Sequence, residues 1–217
     1  MERWATFDCY GTLVDWDAGI GRELARIFGS ERADELLRRY HELEPAIQKA
    51  EPTLAYREVM AQALEQLGAP GEEREALAWS LPSWPVFPEV PSALAQLRTR
   101  GVRLCILSNT DLDLLQASMA AIGVCFDRWI VASQIGSYKP APGHWQAFRD
   151  EVGRLPDVHV AASLFHDIVP AMGLGIPCIW IDRLGEDPGE LSPARTLPDL
   201  RGLADAVCEL LQGRAHE

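Results

Sequence analysis

Asp8 is the first residue whose type and surroundings could support chemistry. It ends a short apolar run within ATFDCYGTL (5–13), and Gly11 and Thr12 follow closely. This layout is typical of a carboxylate at the point where a strand turns sharply into a loop, and such a carboxylate can act as a nucleophile. The position two residues later, where a second acid could donate a proton, holds Tyr10. The stretch therefore predicts chemistry that uses one aspartate beside an aromatic ring.

Other polar residues follow later apolar runs, namely Ser108 and Asn109, then Lys139, then Asp167. The carboxyl ends of parallel strands meet at one crevice, so these residues can share a site with Asp8. Lys139 would keep both carboxylates ionised and hold the nucleophile in position. Ser108 and Asn109 would supply neutral hydrogen-bond donors, although both also suit a turn or a helix N-cap. We predict Asp8, Lys139 and Asp167 as the catalytic residues.

Alternating strands and helices would position these side chains. Short apolar runs bounded by turn residues predict buried strands at 4–9, 102–108, 129–132, 158–165 and 177–181. Helical periodicity lies between several of them, at 92–100 and 114–122. Strand–helix–strand repetition predicts an α/β fold with a Rossmann-like parallel sheet.

Residues 17–80 interrupt this alternation. They carry helical periodicity at 20–28, 33–43, 56–67 and 72–79 and contain no convincing strand, and Asp15 suits the N-cap of the first helix. The proline-rich stretch LPSWPVFPEVP (81–91) then returns the chain to the sheet. We predict a helical cap at 16–85, inserted into a catalytic core that comprises 1–15 and 86–217.

Composition excludes several classes of partner. The formal net charge of −12 argues against binding to a nucleic-acid backbone, which requires an excess of Lys and Arg. No apolar stretch approaches the roughly 20 residues that span a bilayer, so no membrane partner is expected. The five cysteines form no CxxC pair, which is typical of reduced thiols. We expect a cytoplasmic protein without a metal site.

Four short motifs carry a resemblance to a known family. FDCYGTL, ILSNT, SYKPAP and FHD resemble, in order and spacing, the four signature motifs of the haloacid dehalogenase (HAD) superfamily. Tyrosine two residues after the aspartate resembles the L-2-haloacid dehalogenase branch. The resemblance implies a HAD fold with a helical cap, a covalent ester on Asp8, and a homodimer, as is common among these dehalogenases.

Tyr10 distinguishes two kinds of chemistry within this superfamily. The phosphatases typically carry a second aspartate there, which protonates the leaving alcohol, and they bind Mg²⁺. A phenol with a pKa near 10 is a poor substitute for both roles, whereas a departing halide needs neither a proton nor a cation. We therefore predict hydrolysis of a carbon–halogen bond in a short 2-haloacid, a small anionic substrate, with no cofactor. Three alternatives stay open: a phosphatase, which would need Mg²⁺, a hydrolase of another small electrophile, and a non-catalytic binding module.

The remaining candidates would bind the substrate. Tyr10 would form a wall of the pocket, Thr12 would contact substrate or satisfy the turn, and His166 would line the pocket. The dehalogenases use an arginine from the cap, and an approximate alignment places Lys49 near that position. A lysine lacks the planar fork of arginine, and a surface location for Lys49 is the competing interpretation. Leu164 stands where those enzymes usually carry asparagine, so one polar contact is missing.

Overall fold

The structure, a computed structural model, describes residues 2–213 and contains a six-stranded parallel sheet. The strand order is β3-β2-β1-β4-β5-β6. The strands are β1 (Arg3–Phe7), β2 (Val102–Ser108), β3 (Arg128–Val131), β4 (Val158–Ala161), β5 (Cys178–Ile181) and β6 (Arg195–Leu197). The predicted α/β fold with a Rossmann-like parallel sheet is confirmed.

Helices connect the strands and cover the sheet. They are α1 (Trp16–Phe28), α2 (Ser30–Ala50), α3 (Tyr56–Leu67), α4 (Ala76–Ser80), α5 (Val90–Thr99), α6 (Leu112–Ile122), α7 (Ala132–Ile135), α8 (Gly143–Val152), α9 (Val169–Gly173) and α10 (Leu203–Gly213). Within residues 2–213, no helix has the length and apolar character needed to cross a membrane.

Both faces of the sheet are buried, because side chains alternate along each strand. Ala5 and Phe7 of β1 face one apolar cluster, which also contains side chains of α5 and α10. Trp4 faces a second cluster, where Trp145 and Phe148 of α8 pack. The sheet therefore forms the middle layer of three, and its strand ends are held rigidly.

The order of the strands creates a crevice at the carboxyl ends of β1 and β4. The chain passes from β1 to β2 and β3 on one side, then crosses to β4 on the other side of β1. Loops that follow β1 and β4 therefore diverge in opposite directions, and ligands bind at such a switch point in open α/β sheets. Asp8 directly follows β1, which places it at this crevice.

Four helices, α1 to α4, lie between β1 and α5 in the sequence. The segments that enter and leave this helical region run side by side, with a bridge between Val14 and Val86 and a 2.7 Å hydrogen bond from Asp15 N to the Pro85 carbonyl. The Asp15 carboxylate accepts the Ala18 N–H at 3.0 Å, so the predicted cap of α1 is confirmed. The domain boundaries at 15/16 and 85/86 stay predictions.

Several predicted elements have different bounds in the structure. Helix α2 continues through Pro45 to Ala50, beyond the predicted end at 43, because Ile47 and Gln48 are still buried. The predicted strand 158–165 ends at Ala161, and a π-helical turn follows at Leu164–Ile168. The predicted helix 72–79 is a 3-10 turn at Gly71–Glu73 followed by α4. Strand β6 and helices α7, α8, α9 and α10 were not predicted.

Candidate active site

The carboxylate of Asp8 is held at both oxygens. The Thr12 hydroxyl donates to Oδ2 at 2.7 Å, and the Lys139 ammonium donates to Oδ1 at 2.8 Å. The backbone N–H of Asp8 donates to the Val160 carbonyl of β4 at 3.1 Å. With 7% of its surface exposed, the side chain is almost buried and has one fixed orientation.

A tight turn after β1 brings Thr12 back to Asp8. Gly11 makes this turn with φ of +87°, which glycine adopts without the cost that a side chain would add. The Thr12 hydroxyl also accepts the Ala162 N–H at 2.9 Å, so it joins the ends of β1 and β4. Thr12 is fully buried and does not line the cavity described below. The Thr12 hydroxyl thus positions Asp8, and its predicted contact with substrate stays a prediction.

Lys139 joins the two predicted catalytic carboxylates. Its ammonium donates to Asp8 Oδ1, to Asp167 Oδ1 at 2.6 Å, and to the Leu107 carbonyl at 2.9 Å. These three bonds match the three donors of an ammonium. Burial alone would lower the pKa of Lys139, but the charges of Asp167 and Asp8 outweigh it and raise that pKa. The side chain is therefore a permanent cation.

Asp167 lies in the π-helical turn after β4 and has two charged or polar donors on one oxygen. Besides Lys139, the His159 Nε2–H donates to Oδ1 at 3.0 Å, and Thr6 Oγ1 lies 2.9 Å from His159 Nδ1. Burial would raise the pKa of Asp167, but Lys139 and His159 outweigh it and lower the pKa. At Asp8, burial dominates and raises the pKa despite Lys139.

Ser108 and Asn109, at the end of β2, make different contacts. The Ser108 carbonyl accepts the His144 Nε2–H at 3.0 Å, and burial lowers the pKa of His144 to about 3, so this imidazole is neutral. Ser108 lines the cavity, and its buried hydroxyl has no hydrogen-bond partner within the described part of the chain. The Asn109 side chain makes two hydrogen bonds to the backbone of Lys139. Its Oδ1 accepts the Lys139 N–H at 2.7 Å, and its Nδ2 donates to the Lys139 carbonyl at 3.0 Å.

A cavity of about 1150 Å³ lies above these carboxylates. Seven of the nine predicted site residues line it: Asp8, Tyr10, Ser108, Asn109, Lys139, His166 and Asp167. The structure thus brings together residues that lie up to 159 positions apart in the sequence, as the convergence of strand ends predicts.

Tyr10 and His166 form parts of the wall. The Tyr10 hydroxyl lies 3.0 Å from Ser118 Oγ on α6, and its ring contacts the Trp84 ring edge-on, with centroids 5.9 Å apart. The hydroxyl is therefore already engaged. His166 Nδ1 lies 3.1 Å from Ser163 Oγ, and burial lowers the pKa of His166.

Lys49 does not line this cavity, and its predicted contact with substrate stays a prediction. The side chain is exposed and is not part of the lining. Glu44 and Gln48 of α2 are buried, and successive residues of a helix are rotated by about 100°, so Lys49 points away. His41 and Glu44 are the residues of α2 that line the cavity.

Sequence reasoning missed His159, His144 and Glu44. His159 and Thr6 are polar residues inside otherwise apolar strands, and they are direct neighbours in the register of β4 and β1. A buried polar side chain requires a partner, so this pattern could have indicated a role for both. Glu44 lies on an amphipathic helix whose rotation over the cavity the sequence does not reveal.

The phosphatase alternative would require a magnesium site here. In residues 2–213 no three His, Cys, Asp or Glu side chains are grouped so that they could hold a metal ion. Asp8 and Asp167 each direct an oxygen at the Lys139 ammonium. Mg²⁺ prefers an octahedron of oxygen ligands, so these residues do not fit it as they stand.

A parallel sheet with a helical region after its first strand, and two aspartates joined by one lysine at the strand ends, define an α/β enzyme of the HAD fold. The model of the haloacid dehalogenase-like hydrolases matches residues 3–162. The chain belongs to this family of hydrolases.

Individual relatives include two kinds of enzyme. The chain is 28% identical over 202 residues to (S)-2-haloacid dehalogenase 4A of Burkholderia cepacia. This alignment covers 86% of this chain and 85% of that protein. It is 30% identical over 161 residues to a phosphoserine phosphatase of Thermus thermophilus, covering 69% of this chain and 64% of that protein.

A solved structure supports the same fold. The L-2-haloacid dehalogenase of Xanthobacter autotrophicus, with chloropropionic acid covalently bound, superposes with a TM-score of 0.81 at 21% identity. The similarity covers 96% of this chain and 99% of that chain. At this identity the comparison shows a shared fold.

Proposed function

We propose that this hydrolase cleaves the carbon–halogen bond of a short 2-haloacid through an ester on Asp8. The surroundings of Asp8 support this proposal. Its carboxylate is held by Thr12 and Lys139, and the residue two positions later is Tyr10, whose hydroxyl is engaged by Ser118. The site thus has a positioned nucleophile and no acid at that position to protonate a leaving group.

In the first step, one Asp8 oxygen attacks C2 of the substrate from the side opposite the halogen. A carbon–oxygen bond forms, the carbon–halogen bond breaks, and the halide leaves with the bonding electrons. Attack from behind inverts the configuration at C2. The fixed carboxylate lowers the entropic cost of reaching this geometry, and the free Ser108 hydroxyl is available as a donor to substrate or halide.

In the second step, water attacks Cγ of the Asp8 ester. The bond from Cγ to the ester oxygen breaks, and the 2-hydroxy acid leaves with that oxygen and one proton of the water. The other proton passes to solvent, and the water oxygen stays in the Asp8 carboxylate. Asp167 lines the cavity and is held by Lys139 and His159. Because its pKa is lowered, Asp167 orients the water as a hydrogen-bond acceptor, and the Lys139 ammonium stabilises the oxyanion.

The relatives support this reaction class without establishing the substrate. The Burkholderia relative is a 2-haloacid dehalogenase, and its similarity to this chain extends over most of both proteins. The Xanthobacter structure contains covalently bound chloropropionic acid. The Thermus relative is a phosphatase, which makes phosphate-ester hydrolysis the second candidate function.

The test combines halide release with isotope labelling. Chloroacetate, bromoacetate, fluoroacetate and both enantiomers of 2-chloropropionate are offered with Mg²⁺ and with chelator. A single turnover in ¹⁸O-water is then followed by mass spectrometry of the peptide that contains Asp8. We expect release of halide in chelator, preference for one enantiomer, and one ¹⁸O in Asp8.

Two results would contradict this proposal. Halide release with an unlabelled Asp8 peptide would exclude the ester. Absence of halide release, with hydrolysis of a phosphate ester that chelator abolishes, would favour the second candidate. Asp8→Asn serves as the control and should release no halide.

A further inference from the structure

Glu44 is a buried carboxyl group that faces the cavity and that the reaction above does not use. Its side chain lies on α2, is 6% exposed, and lines the cavity together with Asp8. Gln48, one turn further along α2, donates from its amide to Glu44 Oε1. Keeping a buried carboxyl group ionised costs free energy, so the presence of Glu44 in this cavity suggests a role in binding.

A hydrogen-bond path joins Glu44 to the nucleophile's surroundings. Gln48 receives an amide N–H from Asn109 at 3.4 Å, and Asn109 holds the backbone of Lys139. Lys139 in turn holds Asp8. Glu44 therefore has a fixed position relative to the site, unlike a carboxylate on a mobile surface side chain.

The helical region supplies no permanent cation to this cavity. The described residues of α1 to α4 that line it are Trp16, Asp17, His41, Glu44 and Tyr56. His41 is already bound to Asp17, with Nε2 2.9 Å from Oδ1. If Glu44 were ionised, this wall would repel an anionic substrate; if Glu44 is protonated, its hydroxyl becomes a hydrogen-bond donor.

We propose that Glu44 is a specificity-determining residue whose protonated carboxyl donates a hydrogen bond to the carboxylate of the substrate. This inference rests on the proposed function, because it assumes a 2-haloacid whose C2 lies at Asp8 and whose carboxylate points to α2. The enzyme then accepts its anionic substrate while Glu44 is neutral and rejects it once Glu44 ionises.

The surroundings of Glu44 support this assignment. Burial raises the pKa of Glu44 to about 7, and Asp8 adds to the rise, although Gln48, His41 and Tyr56 oppose it. The titratable and charged groups around it are Asp17 of α1, Tyr40 and His41 of α2, Tyr56 of α3, Tyr138 of the loop before α8, and Asp8 of the β1 loop. If only the neutral form binds substrate, apparent affinity falls with the protonated fraction.

Two measurements test the inference. The first is kcat/KM for the preferred 2-haloacid from pH 5.5 to 8.5 in wild type, Glu44→Gln and His41→Gln. The second is calorimetric binding of propionate, an unreactive carboxylate, at pH 5.5 and 8.5. We expect wild type to lose about tenfold in kcat/KM per pH unit above pH 7, through KM. We expect Glu44→Gln, which keeps an N–H donor, to lose this decline, and His41→Gln to retain it.

Three results would overturn the role of Glu44, and a fourth would separate that role from the proposed function. A decline that persists in Glu44→Gln, or that His41→Gln removes, would overturn the role of Glu44. Tighter binding of propionate at pH 8.5 than at pH 5.5 would also overturn it, and that result requires no variant to fold. If no haloacid releases halide but propionate binding still weakens with rising pH in wild type and not in Glu44→Gln, the proposed function fails while recognition of a carboxylate by Glu44 stands.

Discussion

Two residues, one near Asp8 in the sequence and one distant from it, fix the orientation of its carboxylate. Thr12 comes from the same loop as Asp8, whereas Lys139 comes from the loop between α7 and α8. Thr12 has a second bond, to the Ala162 N–H. Its loss would therefore free one Asp8 oxygen and leave a backbone donor at the end of β4 without its partner.

We predict that Thr12→Val lowers kcat/KM for the preferred substrate by roughly 10- to 100-fold, because a hydrogen bond to a charged group contributes about 1.5–3 kcal/mol. Steady-state kinetics measure the effect, and Thr12→Ser, which keeps the hydroxyl, should restore most of the activity. Wild-type activity in Thr12→Val, which keeps the methyl group and lacks only the hydroxyl, would show that the hydroxyl does not position Asp8.

At the scale of elements, one carboxylate joins the helical region to the sheet. Asp111 directly precedes α6 and follows the end of β2, yet its side chain accepts the backbone N–H of Tyr56 at 2.9 Å and of Arg57 at 3.0 Å. These are the first two residues of α3. The first N–H groups of a helix have no partner within the helix. Asp111 accepts two of these N–H groups of α3, although it lies between β2 and α6 in the sequence.

We predict that Asp111→Ala lowers the free energy of unfolding by about 0.5–2 kcal/mol, the usual cost of losing an N-terminal cap. Chemical denaturation gives the value. Asp113→Ala is the matched control, because Asp113 pairs with Arg57 at the surface, where such pairs contribute about 0–1 kcal/mol. If both variants unfold like wild type, Asp111 does not stabilise α3.

At the scale of the whole molecule, the buried cluster of Asp8, Lys139 and Asp167 ties the stability of the fold to pH. The pKa of Asp167 is lower in the folded protein than in the unfolded chain, so ionised Asp167 contributes stability above pH 4. That contribution is lost as pH falls through the folded pKa. Glu44 has the opposite sign, since its pKa is raised to about 7, and its contribution is lost as pH rises through 7.

We predict that Lys139→Met destabilises the protein at pH 7 by about 3–5 kcal/mol, because two buried carboxylates lose their cation. Without that cation both carboxyl pKa values should rise, so the variant should regain stability as pH falls from 7 to 5. Denaturation curves at several pH values measure this slope. A variant whose stability does not change between pH 7 and 5 would contradict the ion cluster as described.

The residues that follow the strands can be read from local sequence patterns. Asp8, Ser108, Asn109 and Asp167 were found because each comes after an apolar run, and the ends of parallel strands converge whatever the details of packing. The family was identifiable for the same reason, since its motifs occupy these strand ends in order. Chain length and helical periodicity were likewise enough to predict a helical region after β1.

The side chains that face the site, by contrast, depend on how the helices and strands pack against one another. The rotation of α2 directs Glu44 and Gln48 inward and Lys49 outward, because successive residues of a helix are about 100° apart. The register of β1 and β4 places His159 beside Thr6, and the turn after β4 brings Asp167 to His159. Such choices depend on contacts between residues that are distant in sequence, which local patterns do not encode.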